Sequence, residues 1–308
     1  MRSLQKSPPP NKEVQKMDYK TKKKTIILAH NYQPLKVQKY ADYVGDSFQL
    51  AKIAANVKCD IILFCGVRFM AETAKLLNPT VKVLLSAADA GCPMADMANY
   101  NDVKLFKENH PQHLIVSYVN SSIEVKALSD VCVTSSNAVN IVNKLPKHKK
   151  IMFIPDQNLG HYVRKLTKRD IELWDGFCPI HNIFITIDDI KNARLYYPDH
   201  HIIVHPECAP EVVDEADFVG STSQIADFTQ THDKVVIGTD CGLINMLIDK
   251  YPDKSIVPLS DKALCKNMNK TDMDIVLDTL KYEKNEIIIP DDIAKMAMKP
   301  ILKMMELN

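Results

Sequence analysis

The sequence predicts an α/β protein of three similar domains, each a parallel sheet flanked by helices, arranged as a pseudo-threefold triplication around a central active site. Three observations predict it. From Thr25 onward, short apolar runs rich in β-branched residues alternate with helical stretches, the pattern of parallel strands joined by crossover helices. Strand ends, loops and cysteines recur with one period of 86 to 88 residues. The length of 308 residues is too great for one small core and suits two or three compact units.

The period appears in three features, and a fourth, a further apolar strand, recurs once per unit beside them. Strand-like Ile26-Ile27-Leu28-Ala29-His30, Leu114-Ile115-Val116-Ser117-Tyr118 and Ile202-Ile203-Val204-His205 end 88 and 87 residues apart. The segments closing on Ser47, Ser135 and Thr222 follow at the same intervals, each carrying an aspartate: Asp42, Asp130 and Asp217. A further apolar strand comes next, at Ile61–Phe64, Ile151–Ile154 and Val235–Gly238, and Cys92, Cys178 and Cys265 complete each unit at spacings of 86 and 87. Such a period is too long for a solenoid and long enough for a small α/β domain. The expected division is a loose tail at 1–24, repeats at 25–104, 105–191 and 192–289, and a closing helix at 290–308 packed back on the first repeat. The tail holds Pro8-Pro9-Pro10 and a lysine run without apolar periodicity, whereas Ile293, Ala297, Ile301 and Met304 after Pro290 have helical spacing.

Composition narrows the function. Lys+Arg of 39 against Asp+Glu of 38 leaves a net charge of +1, which gives no reason to expect a nucleic-acid or membrane partner. No apolar run approaches the roughly 20 residues of a membrane span, and no secretory signal is read at the N-terminus, so a cytoplasmic enzyme acting on small molecules is expected. Eight cysteines in 308 residues are too sparse for a disulfide scaffold. Cys59, Cys65, Cys132, Cys208 and Cys241 read as small buried or bystander residues. Cys92, Cys178 and Cys265 share the period and read as metal ligands. Three thiolates suit an iron-sulfur cluster whose fourth iron stays open to act as a Lewis acid. Zinc held by three cysteines and a histidine, with His181 nearby, is the inorganic alternative that spacing leaves open.

The remaining period-bearing residues fall where strands give way to helices, the edge at which α/β sheets bind ligands. Ser47, Ser135 and Thr222 read as helix caps that could also hold carboxylate or phosphate oxygens. His30 and His205 occupy equivalent strand ends in two repeats, which favours a site role over a structural one.

The motifs Ala29-His30-Asn31-Tyr32-Gln33, Gly45-Asp46-Ser47, Phe64-Cys65-Gly66-Val67, Phe69-Met70-Ala71-Glu72-Thr73-Ala74-Lys75, Tyr118-Val119-Asn120-Ser121-Ser122, Thr134-Ser135-Ser136-Asn137-Ala138, His205-Pro206-Glu207-Cys208 and Gly220-Ser221-Thr222-Ser223 resemble the quinolinate synthase family, in the family's order, over residues 25 to 308. The resemblance implies condensation of iminoaspartate with dihydroxyacetone phosphate to quinolinate, phosphate and water in NAD biosynthesis. It also implies a 4Fe-4S cluster on Cys92, Cys178 and Cys265, and a functional link to an aspartate-oxidising enzyme that supplies iminoaspartate. By the same resemblance His30, Ser47, Tyr118, Val119, Asn120, Ser135, His205, Pro206, Glu207 and Thr222 bind substrate, and Tyr32, Glu207 and His205 are catalytic. Burial could raise the Glu207 pKa into a useful range and a nearby metal could make Tyr32 more acidic, but neither shift is read from the sequence. Cys265 is followed by Lys266-Asn267-Met268, where the family often has a proline, and Asp240 stands where a glutamate is frequent.

Overall fold

The computed structural model describes residues 23–308; Pro8-Pro9-Pro10 and most of the expected tail lie outside the described residues. Lys24 already belongs to the fold, since its carbonyl accepts from the backbone N–H groups of Asp60 and Ile61.

Three four-stranded parallel sheets follow one another along the chain. The first holds β1 (Thr25–His30), β2 (Tyr43–Gly45), β3 (Ile61–Cys65) and β4 (Lys82–Leu85) in the order β2-β1-β3-β4. The second holds β5 (Leu114–Tyr118), β6 (Val131–Val133), β7 (Ile151–Ile154) and β8 (Ile171–Leu173), ordered β6-β5-β7-β8. The third holds β9 (His201–Val204), β10 (Phe218–Val219), β11 (Lys234–Gly238) and β12 (Ser255–Pro258), ordered β10-β9-β11-β12. Every pairing within them is parallel. The strands read as unbroken apolar runs because helices cover both faces of such sheets; all five residues of β3 and all four of β7 are buried. The three sheets therefore repeat one topology, as the 86 to 88 residue period requires.

The repeated aspartates explain part of that period. Asp42 Oδ2 accepts from Ile27 N–H at 2.8 Å, Asp130 Oδ2 from Ile115 N–H at 2.8 Å, and Asp217 Oδ2 from Ile202 N–H at 2.7 Å. Each carboxylate thereby ties the entry of the second strand of its sheet to the first. Burying these N–H groups without partners would cost about 1–3 kcal/mol each.

The end of the chain departs from the expected partition. After β12 the chain returns to the first sheet, where Leu85 N–H donates to Asn285 O at 3.0 Å and Ile287 N–H to Val83 O at 2.8 Å. Helix Met273–Tyr282 buries Val276 and Leu280 among Ile27, Leu63 and Leu84. This stripe completes the cover of one face of the first sheet. The terminal helix Asp291–Leu307 packs mainly on helix Ile123–Leu128 and β6 of the second unit, and also on helix Arg68–Leu77 of the first. Its Ala297, Ile301 and Met304 complete the largest hydrophobic cluster, which runs across both units.

Candidate active site

The carboxyl ends of the strands converge on one cavity of about 680 Å³. Its lining takes residues from all three units: His30, Tyr32, Ser47 and Cys92; Tyr118, Asn120, Ser135 and Cys178; His205, Glu207, Thr222 and Cys265. Parallel strands place their following loops on a common edge, so features recurring at one sequence period meet at one point in space. Val119 and Pro206 differ from expectation. Val119 is buried in the main core and Pro206 is also buried, and neither side chain lines the cavity. Both simply sit between residues that do, and alternation along the chain turns their side chains away.

The hydroxyl residues do not cap their helices. The cap before Ser47 is Asp46, which accepts from Phe48 and Gln49 N–H, and the cap before Thr222 is Ser221, which accepts from Gln224 N–H. Ser47 and Thr222 are the first helical residues, and Ser135 precedes a helix whose N-cap is Asn137. Their hydroxyls thus face the cavity without being consumed by capping. Thr222 Oγ1 accepts from Asn31 Nδ2 at 3.0 Å, a bond between the first and third units. Asn120 Oδ1 is a buried acceptor without a partner among the described residues.

The two histidines adopt one arrangement. Tyr32 N–H donates to His30 Nδ1 at 3.2 Å, and Glu207 N–H donates to His205 Nδ1 at 3.3 Å. A ring nitrogen accepting from backbone must carry its proton on the other side, so each neutral imidazole keeps Nε2–H as its donor. Burial pushes His30 down to about 4 and His205 down to about 3, against the opposing pull of Glu207, and both rings are neutral at neutral pH.

Glu207, at 4% exposure, is the hub. Tyr118 O–H donates to its Oε1 at 2.6 Å, and His181 Nδ1 lies 2.9 Å from its Oε2. From His181 the chain of contacts continues: Nε2 to Thr239 Oγ1 at 2.9 Å, and Thr239 Oγ1 to Tyr32 O–H at 2.7 Å. With Glu207 ionised, His181 donates to it through Nδ1–H, accepts at Nε2 from Thr239, and Thr239 accepts from Tyr32. One hydrogen-bonded relay therefore joins Tyr32 to Glu207.

In the metal-free protein the two groups shift in opposite directions. Burial, the largest influence on Glu207, raises it, but the close contacts from His181 and Tyr118 favour the ionised form and hold the carboxyl below its ordinary range, the His205 ring being neutral at neutral pH. Tyr32 is pushed well above 10 by burial first and then by the Glu207 charge. Tyr118 is raised for the same reasons in the same order. Two groups pushed apart in this way separate into a carboxylate acceptor and phenolic donors. His181 and Thr239 were not read from sequence as parts of a relay. His181 stood only as a possible zinc ligand, and Thr239 carries no spacing signal at all.

The donor set for a metal is also in place. All eight cysteines are free, and only Cys92, Cys178 and Cys265 line this cavity. Backbone N–H groups of the turn after each thiol lie near enough to favour its ionised form: Ala95 and Met94 for Cys92, His181 for Cys178, Met268 and Asn267 for Cys265. Such donors favour thiolate, while burial opposes it, pushing Cys92 up to about 12 and Cys178 and Cys265 upward as well. Three half-buried thiols lining one cavity become thiolates readily when a cation replaces their protons, so the set fits a metal cofactor. Cys178, His181 and Glu207 form a second potential ligand group, with donor atoms within 4.8 Å of one another. The hydrogen bonds of His181 to Glu207 and to Cys178 Sγ at 3.2 Å account for that proximity.

Fold and site together define a triplicated α/β enzyme whose thiol-lined centre fits a metal and whose walls carry a chain of hydrogen-bonded polar side chains. Among the described residues no helix is long and apolar enough to cross a membrane. Residues 12–306 match the model of the quinolinate synthetase A protein, NadA, and the chain belongs to that family. It is 47% identical over 294 residues to a quinolinate synthase of Caldicellulosiruptor saccharolyticus, covering 94% of this chain and 96% of that protein. Identity to the quinolinate synthase of Methanoregula boonei is 46% over 290 residues, with 94% and 95% covered. For that of Aquifex aeolicus it is 45% over 294 residues, with 93% and 91% covered.

Proposed function

We propose that this chain condenses iminoaspartate with dihydroxyacetone phosphate, forming quinolinate, phosphate and water for NAD biosynthesis. The observation that carries the reading is the single cavity in which three period-spaced cysteines face the Tyr32–Thr239–His181–Glu207 relay, in a member of the quinolinate synthetase A family. Cys92, Cys178 and Cys265 would hold a 4Fe-4S cluster whose fourth iron, lacking a protein ligand, supplies Lewis acidity.

The chain's own residues supply the rest. Ser47, Ser135 and Thr222 hydroxyls, the Asn120 amide and the Nε2–H donors of His30 and His205 hold the carboxylates and phosphate, neutral donors serving where substrates bring the charge. Tyr32 takes a proton from the substrate at its hydroxyl oxygen while passing its own through Thr239 and His181 to Glu207; reversal of the relay returns it to a departing oxygen. Tyr118 steadies the Glu207 carboxylate. Condensation and dehydration need no net electron transfer. The reading includes a cytoplasmic location and supply of the unstable iminoaspartate by an aspartate-oxidising enzyme.

The test is quinolinate formation by anaerobically purified protein given iminoaspartate and dihydroxyacetone phosphate. Product appears only when both are present and is lost in Cys265→Ser. Turnover without the triose phosphate would instead indicate a simple hydro-lyase.

A further inference from the structure

A backbone rung recurs in all three units beside the cysteines. The N–H of the first residue of the helix after the third strand donates to the carbonyl two residues before the cysteine: Arg68 to Ala90 at 2.9 Å, Gln157 to Gly176 at 2.7 Å, Cys241 to Ala263 at 2.8 Å. The residue just before each donor is the helix N-cap, and here the units diverge. It is Val67 in the first unit, Asp156 in the second and Asp240 in the third.

Asp240 is fully buried and divides its carboxylate between two partners. Oδ1 accepts from Gly242 N–H at 2.8 Å, and Oδ2 from the backbone N–H of Cys265 at 2.6 Å. Gly242 in turn lies directly against the Tyr32 backbone: a Cβ added there would sit 2.6 Å from Tyr32 O and 2.8 Å from Tyr32 Cα. On the other side of Asp240, Thr239 holds the Tyr32 hydroxyl. The turn 239–242 therefore grips Tyr32 at both backbone and phenol, and Asp240 is the group that bonds this turn to Cys265. Asp156 is the weaker counterpart. Its Oδ1 caps Asn158 and Leu159; the Cys178 N–H lies close enough to favour the ionised carboxyl, yet Oδ2 completes no hydrogen bond. Val67 offers nothing to Cys92.

We propose that Asp240 is a positioning residue that locks the Cys265 loop to the turn gripping Tyr32, so that one thiolate ligand and the proton-transferring phenol are held in register. Asp240 also lines the cavity, but in this role it acts through its two hydrogen bonds, and the role rests on the metal-site reading above. Substitution Asp240→Asn keeps the volume and one oxygen but presents N–H to one of the two donors it must accept from; Asp240→Ala removes both bonds.

The test is the alkylation rate of each cysteine by iodoacetamide in the metal-free full-length chain, resolved by peptide mass mapping, together with iron release from the anaerobically loaded protein to a chelator. Asp240→Asn and Asp240→Ala are expected to speed Cys265 modification about ten-fold or more and leave Cys92 within about two-fold, with Asp156→Ala acting more weakly on Cys178. Iron release quickens in the same order. Unchanged Cys265 reactivity, or equal acceleration at every cysteine, would overturn the proposal, the second outcome marking general loosening. Because the Asp240 charge itself disfavours the Cys265 thiolate, rates are compared at the plateau of each pH profile, where a change reports loosening and not ionisation; alkylation needs no metal, so the plateau decides the positioning role even if wild-type protein takes up no iron, an outcome that would count against the metal reading alone. If Asp240→Ala does not fold, Asp240→Asn carries the same comparison.

Discussion

Glu207→Gln perturbs the relay at its terminus with almost no change in volume. The carboxylate accepts from Tyr118 and His181 inside a site at 4% exposure, so water cannot replace what is lost. A glutamine oxygen satisfies one of these donors, while its NH₂ faces the other. Hydrogen bonds to charged groups contribute about 1.5–3 kcal/mol, equivalent to about 10- to 150-fold in rate for each bond. Weakening both gives a fall in kcat of about 10²–10⁴-fold, the range typical of a lost general base. KM should change by no more than a few-fold, because substrate is held mainly by the histidine, hydroxyl and amide donors. The assay is steady-state quinolinate formation under anaerobic conditions, with iron content measured on the same samples. A variant with wild-type iron and a kcat within about three-fold of wild type would refute the relay.

Three further perturbations follow from the geometry. Gly242→Ala places a methyl within 2.6–2.8 Å of Tyr32 backbone atoms, which cannot yield as a flexible side chain would; a loss of about 1–3 kcal/mol in urea unfolding and a larger fall in kcat than in iron content are expected. Ile301→Ala, at a fully buried position of the terminal helix, should cost about 2–5 kcal/mol if that helix completes the shared core of the first two units, and a midpoint unchanged from wild type would show that it does not. The buried histidines predict a pH dependence: with folded values near 4 for His30 and 3 for His205 against 6.5 unfolded, the unfolded chain binds more protons below 6.5. Their contribution is complete above pH 6.5 and is lost as pH falls toward 4, by up to about 1.4 kcal/mol per pH unit for each ring. Asp156, raised chiefly by burial, acts with the opposite sign, so the histidine share is read as a shallower pH slope of unfolding in His30→Gln or His205→Gln between pH 7 and 5; equal slopes would contradict it.

Much of this architecture was legible because it repeats. His30, Tyr118 and His205, the three hydroxyl residues and the three cysteines kept their spacing, and parallel topology converts equal spacing into a common edge. What escaped was set by tertiary contact. His181 and Thr239 meet Tyr32 and Glu207 only because three units close on one axis, and no pattern along the chain encodes that meeting. Two of the capping residues were misplaced by one position, since Asp46 and Ser221 precede the hydroxyls and are equally good caps, and the third, Asn137, lies two residues after Ser135. The Glu207 direction was not legible because the sequence shows neither its burial nor its hydrogen-bond donors. The return of residues 271–287 to the first sheet was hidden because an apolar helical stripe states that it must be covered without stating by what.

The most direct test of the central claim is iron, acid-labile sulfide and zinc content of anaerobically purified protein, with Cys92→Ser, Cys178→Ser, Cys265→Ser and Cys241→Ser alongside. The account predicts about four irons and four sulfides per chain, lost in the first three variants and retained in Cys241→Ser. Stoichiometric zinc in the wild-type protein, or iron indifferent to the three period-spaced cysteines, would contradict it.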